Sequence, residues 1–498
     1  MQVPWPSSLD TQPALSTARA SVTLALFATL AGCVVGPDYH APQLALPSSY
    51  AHAAPPATVP SSPAAPTTGL NRWWEEFNDP ELSRIIRRTQ QQNLDLEAAL
   101  ARVREARANA RESGARLWPE GALQAGVLRE EQSVEGPIGT IAHALPGYSR
   151  QQTVYDLSAG VNWEADLFGG QRRSAEAAVA DAQASAAQRE AVRVTVTAEA
   201  ADAYFQMRGA QARLQVNEAQ VDLDRQLLTL VLRRQSDGVA TDLEVNEARA
   251  LLAHARATLP PLIELREAQL DRLQVLMGVP PGADSDELRC AASPLVVPSM
   301  IIAEGPRELL QRRPDVLAAE RRLAASNARI GVAIAQYYPT ISLSALSGFE
   351  SMGSIPRLGT ASYQPLVLAG LHWRLFDFGR IDAQVDRMRG ANAEALAQFR
   401  QSILAATEDV EDAIVSDVQL REQYRQLQEE VTADAAARAA AQQQYLAGAV
   451  SLLQVLDTDR QLLAARDALI ATQIDEARAA VATYRALGGG WTAPSQDR

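Results

Sequence analysis

The chain has 498 residues, a formal net charge of −13, and a 47% hydrophobic content to which Phe, Trp and Tyr contribute only 5%. The acidic balance, with a pI near 5.1, argues against a nucleic-acid partner, which wants a basic surface. Every cation is Arg, a bias that codon usage explains, and this excludes a phosphate-loop Lys, a Schiff-base Lys and a Ser–Lys dyad. Two cysteines, Cys33 and Cys290, make no disulfide framework. His40, His52, His143, His254 and His372 are scattered without metal-ligand spacing, and neither GxSxG nor HExxH occurs.

The first element is a short apolar run, SVTLALFATL at 21–30, too short to span a bilayer and suited to a signal peptide. It ends in Leu30-Ala31-Gly32-Cys33, which resembles a bacterial lipobox. On that reading residues 1–32 are removed and Cys33 becomes the lipidated first residue; a chance Cys after an ordinary signal is the alternative. Val34, rather than Asp, points to sorting toward the outer membrane. The long first stretch, with Asp10 and a single Arg19, points to a true start downstream of Met1. Residues 33–70, rich in Pro, Ala and Ser, read as an extended tether.

Beyond residue 70 the chain is duplicated. Asp95-Leu96-Glu97-Ala98-Ala99 parallels Asp315-Val316-Leu317-Ala318-Ala319, and Leu117-Trp118-Pro119 parallels Tyr337-Tyr338-Pro339, both offset by 220. Asp166-Leu167-Phe168-Gly169 parallels Phe376-Asp377-Phe378-Gly379, Asp202 parallels Asp412, and Gly238 parallels Gly448, all offset by 210. The first repeat, 71–290, predicts a helix over 93–115, strands at 121–129 and 153–165, and a helix over 171–236. A turn at Asp237-Gly238 leads into a return helix over 242–277, interrupted by Pro260-Pro261. After a linker at 291–305, the second repeat, 306–487, predicts a helix over 314–335 and strands at 340–349 and 365–376. Helices over 381–446 and 452–486 then flank Gly448, and 488–498 is a tail.

A 65-residue helix is a rod of roughly 100 Å that must pack along its length. Phe399, Ile403, Ala406, Val410, Ala413, Leu420, Tyr424, Leu427 and Val431 follow a 4-3 seam, with Asp417 its one polar member. The first long helix has two seams on nearly opposite sides: Leu214, Val221, Leu228 and Val216, Leu223, Leu230. A helix with two apolar sides fits a wall or ring of helices; a plain antiparallel coiled coil is the alternative. Each strand alternates apolar and polar, and aromatics cluster at strand ends: Trp118, Trp163, Phe168, Tyr337, Tyr338, Trp373, Phe376 and Phe378. That is the pattern of a membrane barrel wall. Four strands cannot close a barrel, and an open edge in lipid is forbidden, so several copies must share one. A soluble sheet packed on the helices is the alternative.

The chain resembles the TolC-like outer-membrane factors of the NodT lipoprotein branch. The resemblance rests on LAGC at 30–33, WW with FNDPEL at 73–82, NLDLEAA at 93–99, and the ARLWP and AQYYP pair. DLFGG, FDFGR, VLMGVPPG at 275–282 and YRALGGGW at 484–491 complete it. It implies a mainly α fold with β: a homotrimer whose twelve-stranded transmembrane β-barrel continues into a periplasmic α-helical barrel. It further implies the exit duct of a resistance-nodulation-division type tripartite efflux system, a passive channel for drugs or other small toxic molecules. The partners are then a periplasmic adaptor, an inner-membrane exporter and outer-membrane lipid in a Gram-negative bacterium. No cofactor is implied beyond an N-acyl diacylglyceryl lipid on Cys33. By the same resemblance Glu244, Glu247, Gln454 and Asp457 match a periplasmic constriction, where Gln454 departs from an acid found in some members. Gly238, Val239, Ala240, Gly448, Ala449 and Val450 match tips on which an adaptor docks. Solvated helix acids and simple turn packing are the plainer readings of these two groups. The rivals at the level of function are an exit duct for ABC-type (type I) secretion and a poreless coiled-coil lipoprotein; no nucleophile with a neighbouring base supports an enzyme.

Overall fold

Asp79 starts the helical part of the chain. Its side chain accepts from the amides of Glu81 at 2.9 Å and Leu82 at 3.2 Å, and Pro80 occupies the first turn, where no amide is needed. The computed structural model describes residues 34–42, 47, 49–52, 70–283, 288, 295–298, 305–306, 312–353 and 356–492. The signal segment, Cys33, Cys290 and most of the tether and linker lie outside the described residues. A 3₁₀ helix at Leu70–Phe77 leads into α1 (Pro80–Gln92), α2 (Leu94–Ala115), β1 (Glu120–Glu131), a short α3 (Pro137–Ala142) and β2 (Gln151–Ala165). Then come α4 (Gly170–Ser236), α5 (Asp242–Ala257), α6 (Leu259–Leu276) and α7 (Pro314–Ala335). β3 (Thr340–Met352), β4 (Tyr363–His372), α8 (Arg380–Leu446) and α9 (Leu452–Ala486) complete the chain.

Two regions differ from the sequence expectation, the start of the helical part and the end of β4. The 3₁₀ turn and α1 precede the expected first helix, and Asn93 divides α1 from α2: its side chain accepts from the Asp95 and Leu96 amides and donates to the Leu276 carbonyl at 3.0 Å. The return helix is interrupted as the sequence expects: it breaks at Thr258, because Pro260 and Pro261 fall in the first turn of α6 and cannot donate back to α5. β4 ends at His372 rather than at 376. Residues 373–379 turn the corner into α8 instead, with Phe378 and Gly379 at φ 54° and 83° and Asp377 accepting from the Gly379 and Ile381 amides.

The chain divides into two compact units, with the divisions falling inside α2, α4, α7 and α8. In the first, the strands form one antiparallel sheet in the order β1-β2-β3-β4. In the second, Trp73, Trp74 and Phe77 of the 3₁₀ turn and Leu82, Ile85 and Ile86 of α1 pack on Tyr204 and Phe205 of α4, and α6 and α9 complete that core. Trp73 stacks on Tyr484 at 5.1 Å, and the glycines after α9 fold back so that the Gly490 amide donates to the Leu70 carbonyl at 2.7 Å. A Cβ on Gly489 would meet the Trp73 ring at 3.0 Å, which accounts for a glycine run beside the paired indoles.

The helical seams form as their spacing dictates. On α8, Phe399, Ile403, Ala406, Val410 and Ala413 are buried, and Leu420, Tyr424, Leu427 and Val431 continue the stripe partly buried. On α4 the buried line runs Leu214, Asn217, Val221, Asp224, Leu228, Val231, again at 4-3 spacing, with Leu228 only partly covered. The opposite stripe of α4 stays uncovered at Leu223 and Leu230.

Candidate functional site

The sheet register sorts the strand residues onto two faces. Cross-strand pairs Leu123–Ala159, Ala125–Leu157 and Val127–Tyr155 extend through Val161–Ala345 and Trp163–Leu343 to Ala345–Val367 and Ile341–Leu371. Directly opposed residues share a face, so one face is mainly apolar across all four strands, with Arg129, Thr153, Ser347 and Ser351 its polar members. The other carries Gln124, Asp156, Ser158, Asn162, Glu164, Ser342, Ser344, Glu350 and Gln364, together with Leu128, Val154, Leu346, Leu366 and Leu368, so it is mixed where the first is mainly apolar. The apolar face is not covered by the chain: Leu123 is 76% and Val367 80% exposed. A sheet packed on helices, the soluble alternative, would bury it. β1 and β4 each pair on one side only. No helix among the described residues is long and apolar enough to cross a membrane.

The duplication is visible in the bonds at the sheet's end. Trp163 donates its Nε1 to the Leu117 carbonyl and Trp373 donates to the Tyr337 carbonyl, each at 3.0 Å, in matching positions of the two repeats. Phe168 stacks on Tyr338 at 4.5 Å. Beside them, residues 34–40 form a strap. The Val35 amide donates to the Phe168 carbonyl at 3.1 Å, and Asn327 donates to the Pro37 carbonyl at 2.9 Å. Arg173 of α4 donates to the Val35 carbonyl at 3.2 Å, to Asp38 at 2.6 Å and to Glu176 at 2.8 Å. Gly36, at φ 95°, and Gly331 of α7 touch so closely that a Cβ on the former would lie 2.5 Å from the Cα of the latter. Burial of Arg173 works against its charge, but the bonds to Asp38 and Glu176 outweigh it and hold the guanidinium above its ordinary range. The strap places Val34, the neighbour of Cys33, against Gly169 at this corner.

The tips of the two hairpins have one construction. Gly238 at φ 77° and Gly448 at φ 76° reverse the chain. The Val239 amide donates to the Arg234 carbonyl and the Ala449 amide to the Gln444 carbonyl, both at 2.9 Å, which closes a Schellman turn at each helix end. Val239 and Ala449 are exposed, while Ala240 and Val450 pack partly on a cluster of Val231, Val245, Tyr445 and Leu456.

The four constriction candidates are placed differently. Glu244 closes a capping box with Thr241, accepting from its amide at 2.8 Å, so its charge also holds the first turn of α5. Glu247 is half-buried one turn on, Gln454 is exposed, and exposed Asp457 accepts from Gln461 at 3.2 Å. Two residues at the tips escape the sequence reading. Tyr445 is buried beneath the guanidinium of Arg234, 4.7 Å from its ring. Burial raises the Tyr445 phenol, Arg234 offsets this in part, and the charge of Glu244 raises it further. The tyrosine therefore packs between the end of α4, at Arg234 and Val231, and Val245 of α5. Its one sequence signal is an aromatic three residues before the turn glycine. Among the described residues no group of three or more His, Cys, Asp or Glu could hold a metal.

An amphipathic four-stranded sheet with an uncovered apolar face, joined to two helical hairpins of matching construction, defines an outer-membrane channel subunit. The chain belongs to the outer membrane efflux protein family, whose profile matches residues 85–279 and again 305–489, once per repeat. It is a channel component of efflux machinery and not an enzyme. It is 34% identical over 448 residues to the pyoverdine export outer membrane protein OpmQ of Pseudomonas putida, covering 89% of this chain and 94% of that protein. It is 30% identical over 471 residues to the antibiotic efflux pump outer membrane protein ArpC of Pseudomonas putida, covering 93% of each. Among solved structures, the outer-membrane channel OprN is similar at a TM-score of 0.82 and 31% identity, over 92% of this chain and 100% of that one.

Proposed function

We propose that three copies of this chain form the exit duct of a tripartite efflux system of the resistance-nodulation-division type. The observation that carries the reading is the sheet, with its uncovered apolar face and a free edge on both β1 and β4. In hydrocarbon each unpaired backbone amide costs several kcal/mol, so further strands must meet those edges, and three copies supply a closed twelve-stranded barrel. The exposed second stripe of α4 is then the face that meets a neighbouring protomer. The signal 1–32 is removed, Cys33 carries the acyl chains, and the Arg173 strap fixes that anchor beside the strand ends. Repeats 71–290 and 306–487 contribute two strands and one hairpin each.

The tips around Gly238 and Gly448 are the docking surface for a periplasmic adaptor, which links the duct to an inner-membrane exporter. Asp457, with Glu244 and Glu247, narrows the opening, because three-fold repetition brings like charges together in one lumen. The cargo is a small molecule, of the kind for which the antibiotic-efflux and pyoverdine-export relatives are named. A deletion strain tested against a panel of drugs, with and without the gene restored, decides between readings. Increased susceptibility reversed by the restored gene supports efflux. Unchanged susceptibility with loss of a secreted protein would support the type I duct instead.

A further inference from the structure

The buried line of α4 contains three polar side chains, Asn217, Gln220 and Asp224, and Asp224 is 1% exposed. They line a cavity of about 410 Å³, with His254 of α5, Thr258 between α5 and α6, and Asp459 of α9 on its other sides. Asp459 is itself buried, at 5% exposed. Most of the charge around the cavity is matched. Arg438 of α8 donates to Asp459 at 2.7 Å, and Arg213 of α4 holds both oxygens of Asp467 at 2.8 Å. His254 and Arg460 are exposed at its rim. Asn217 accepts from the Thr258 hydroxyl at 2.8 Å. Asp224 accepts from Gln220 through one oxygen at 2.8 Å, while its other oxygen, Oδ2, is buried with no hydrogen-bond partner among the described residues.

A buried carboxylate with an empty oxygen in a cavity that also holds a second acid is costly, and protonating it removes the cost. Burial is the largest influence on Asp224 and raises its carboxyl. The Gln220 bond opposes this, Asp459 raises it further, and Arg438 and His254 pull it down; the net direction is up. We propose that Asp224, in the cavity it shares with Asp459, is a one-proton switch in this seam. With the proton held, α4 and α9 stay closed on the cavity. When it leaves to solvent, Asp224 becomes a buried carboxylate with an unpartnered oxygen, and the helices ease apart to admit water to it. Asp457 lies two residues before Asp459 on α9, so the switch acts on the helix that carries the proposed constriction. The switch itself lies within one chain and does not depend on the duct reading.

The test is hydrogen–deuterium exchange on the purified full-length protein in detergent, followed over residues 217–228 and 455–463 between about pH 5 and pH 8. Rates are corrected for base catalysis of exchange itself. The wild type should lose protection in both segments as pH rises. Asp224→Asn should stay protected throughout, and Asp459→Asn should move the transition to lower pH. Infrared spectroscopy of the wild type should show a protonated carboxyl persisting above the ordinary carboxylate range, which Asp459→Asn weakens. Wild-type protection independent of pH, an Asp224→Asn variant that follows the wild type, or no persistent protonated carboxyl would each overturn the proposal.

Discussion

Arg173 has a side chain only 5% exposed, yet its partner Asp38 stands in solvent. The guanidinium is held by the strap carbonyls as much as by charge, so Arg173→Ala should release residues 34–40 and cost roughly 2–3 kcal/mol. Limited proteolysis should then cut within the strap while the sheet resists. Asp224 gives a prediction of opposite sign. Its carboxyl is raised in the folded chain, so its contribution to stability is complete below the unfolded value of about 3.9. That contribution is lost as pH rises through the folded value. Asp224→Asn should therefore raise the thermal midpoint at pH 8, with the gain shrinking toward pH 4; an equal gain at both would contradict the assignment. Asn217 and Asp224 were open to reading in the sequence, since they fill the gaps between Leu214, Val221 and Leu228 at 4-3 spacing. Arg173 was not: its partners Val35 and Asp38 lie far upstream, and only folding brings them together.

Gly238 and Gly448 turn the two hairpins at the same positive φ, and a Cβ at either would meet nothing within 4 Å. Gly238→Ala and Gly448→Ala should thus cost backbone strain alone, about 1–2 kcal/mol each and nearly equal. Gly278→Ala should cost more, because its Cβ would also lie 2.4 Å from the Gln92 carbonyl oxygen. Denaturant midpoints of the three variants check the order. Helices and turns of this kind were legible because hydrophobic spacing and glycine act locally. The end of β4 was not: Trp373 keeps the apolar alternation of a strand, but the chain already leaves the ladder after His372 and turns through Asp377, Phe378 and Gly379 into α8. The helix α1 was hidden for a related reason. Trp73, Trp74 and Phe77 mark it only through a core that Tyr204, Phe205 and Tyr484 complete from distant parts of the chain.

For the whole molecule, the sheet sets the requirement. Its apolar face was readable from alternation in β1, β2 and β3, and the register brings Val367, Ala369 and Leu371 of β4 onto the same face. What lies at its edges follows from the energetics of unpaired amides in lipid rather than from any one chain. If three copies share a lumen, Asp457→Ala should change single-channel conductance or cation preference in planar bilayers. Unchanged behaviour would remove Asp457 from the constriction. Assembly itself is tested most directly by the mass of the purified mature protein in mild detergent, measured by native mass spectrometry. The account predicts three chains in one particle, whose strand edges crosslink β1 of one protomer to β4 of the next. A stable single chain, with those edges unlinked at any concentration, would contradict it.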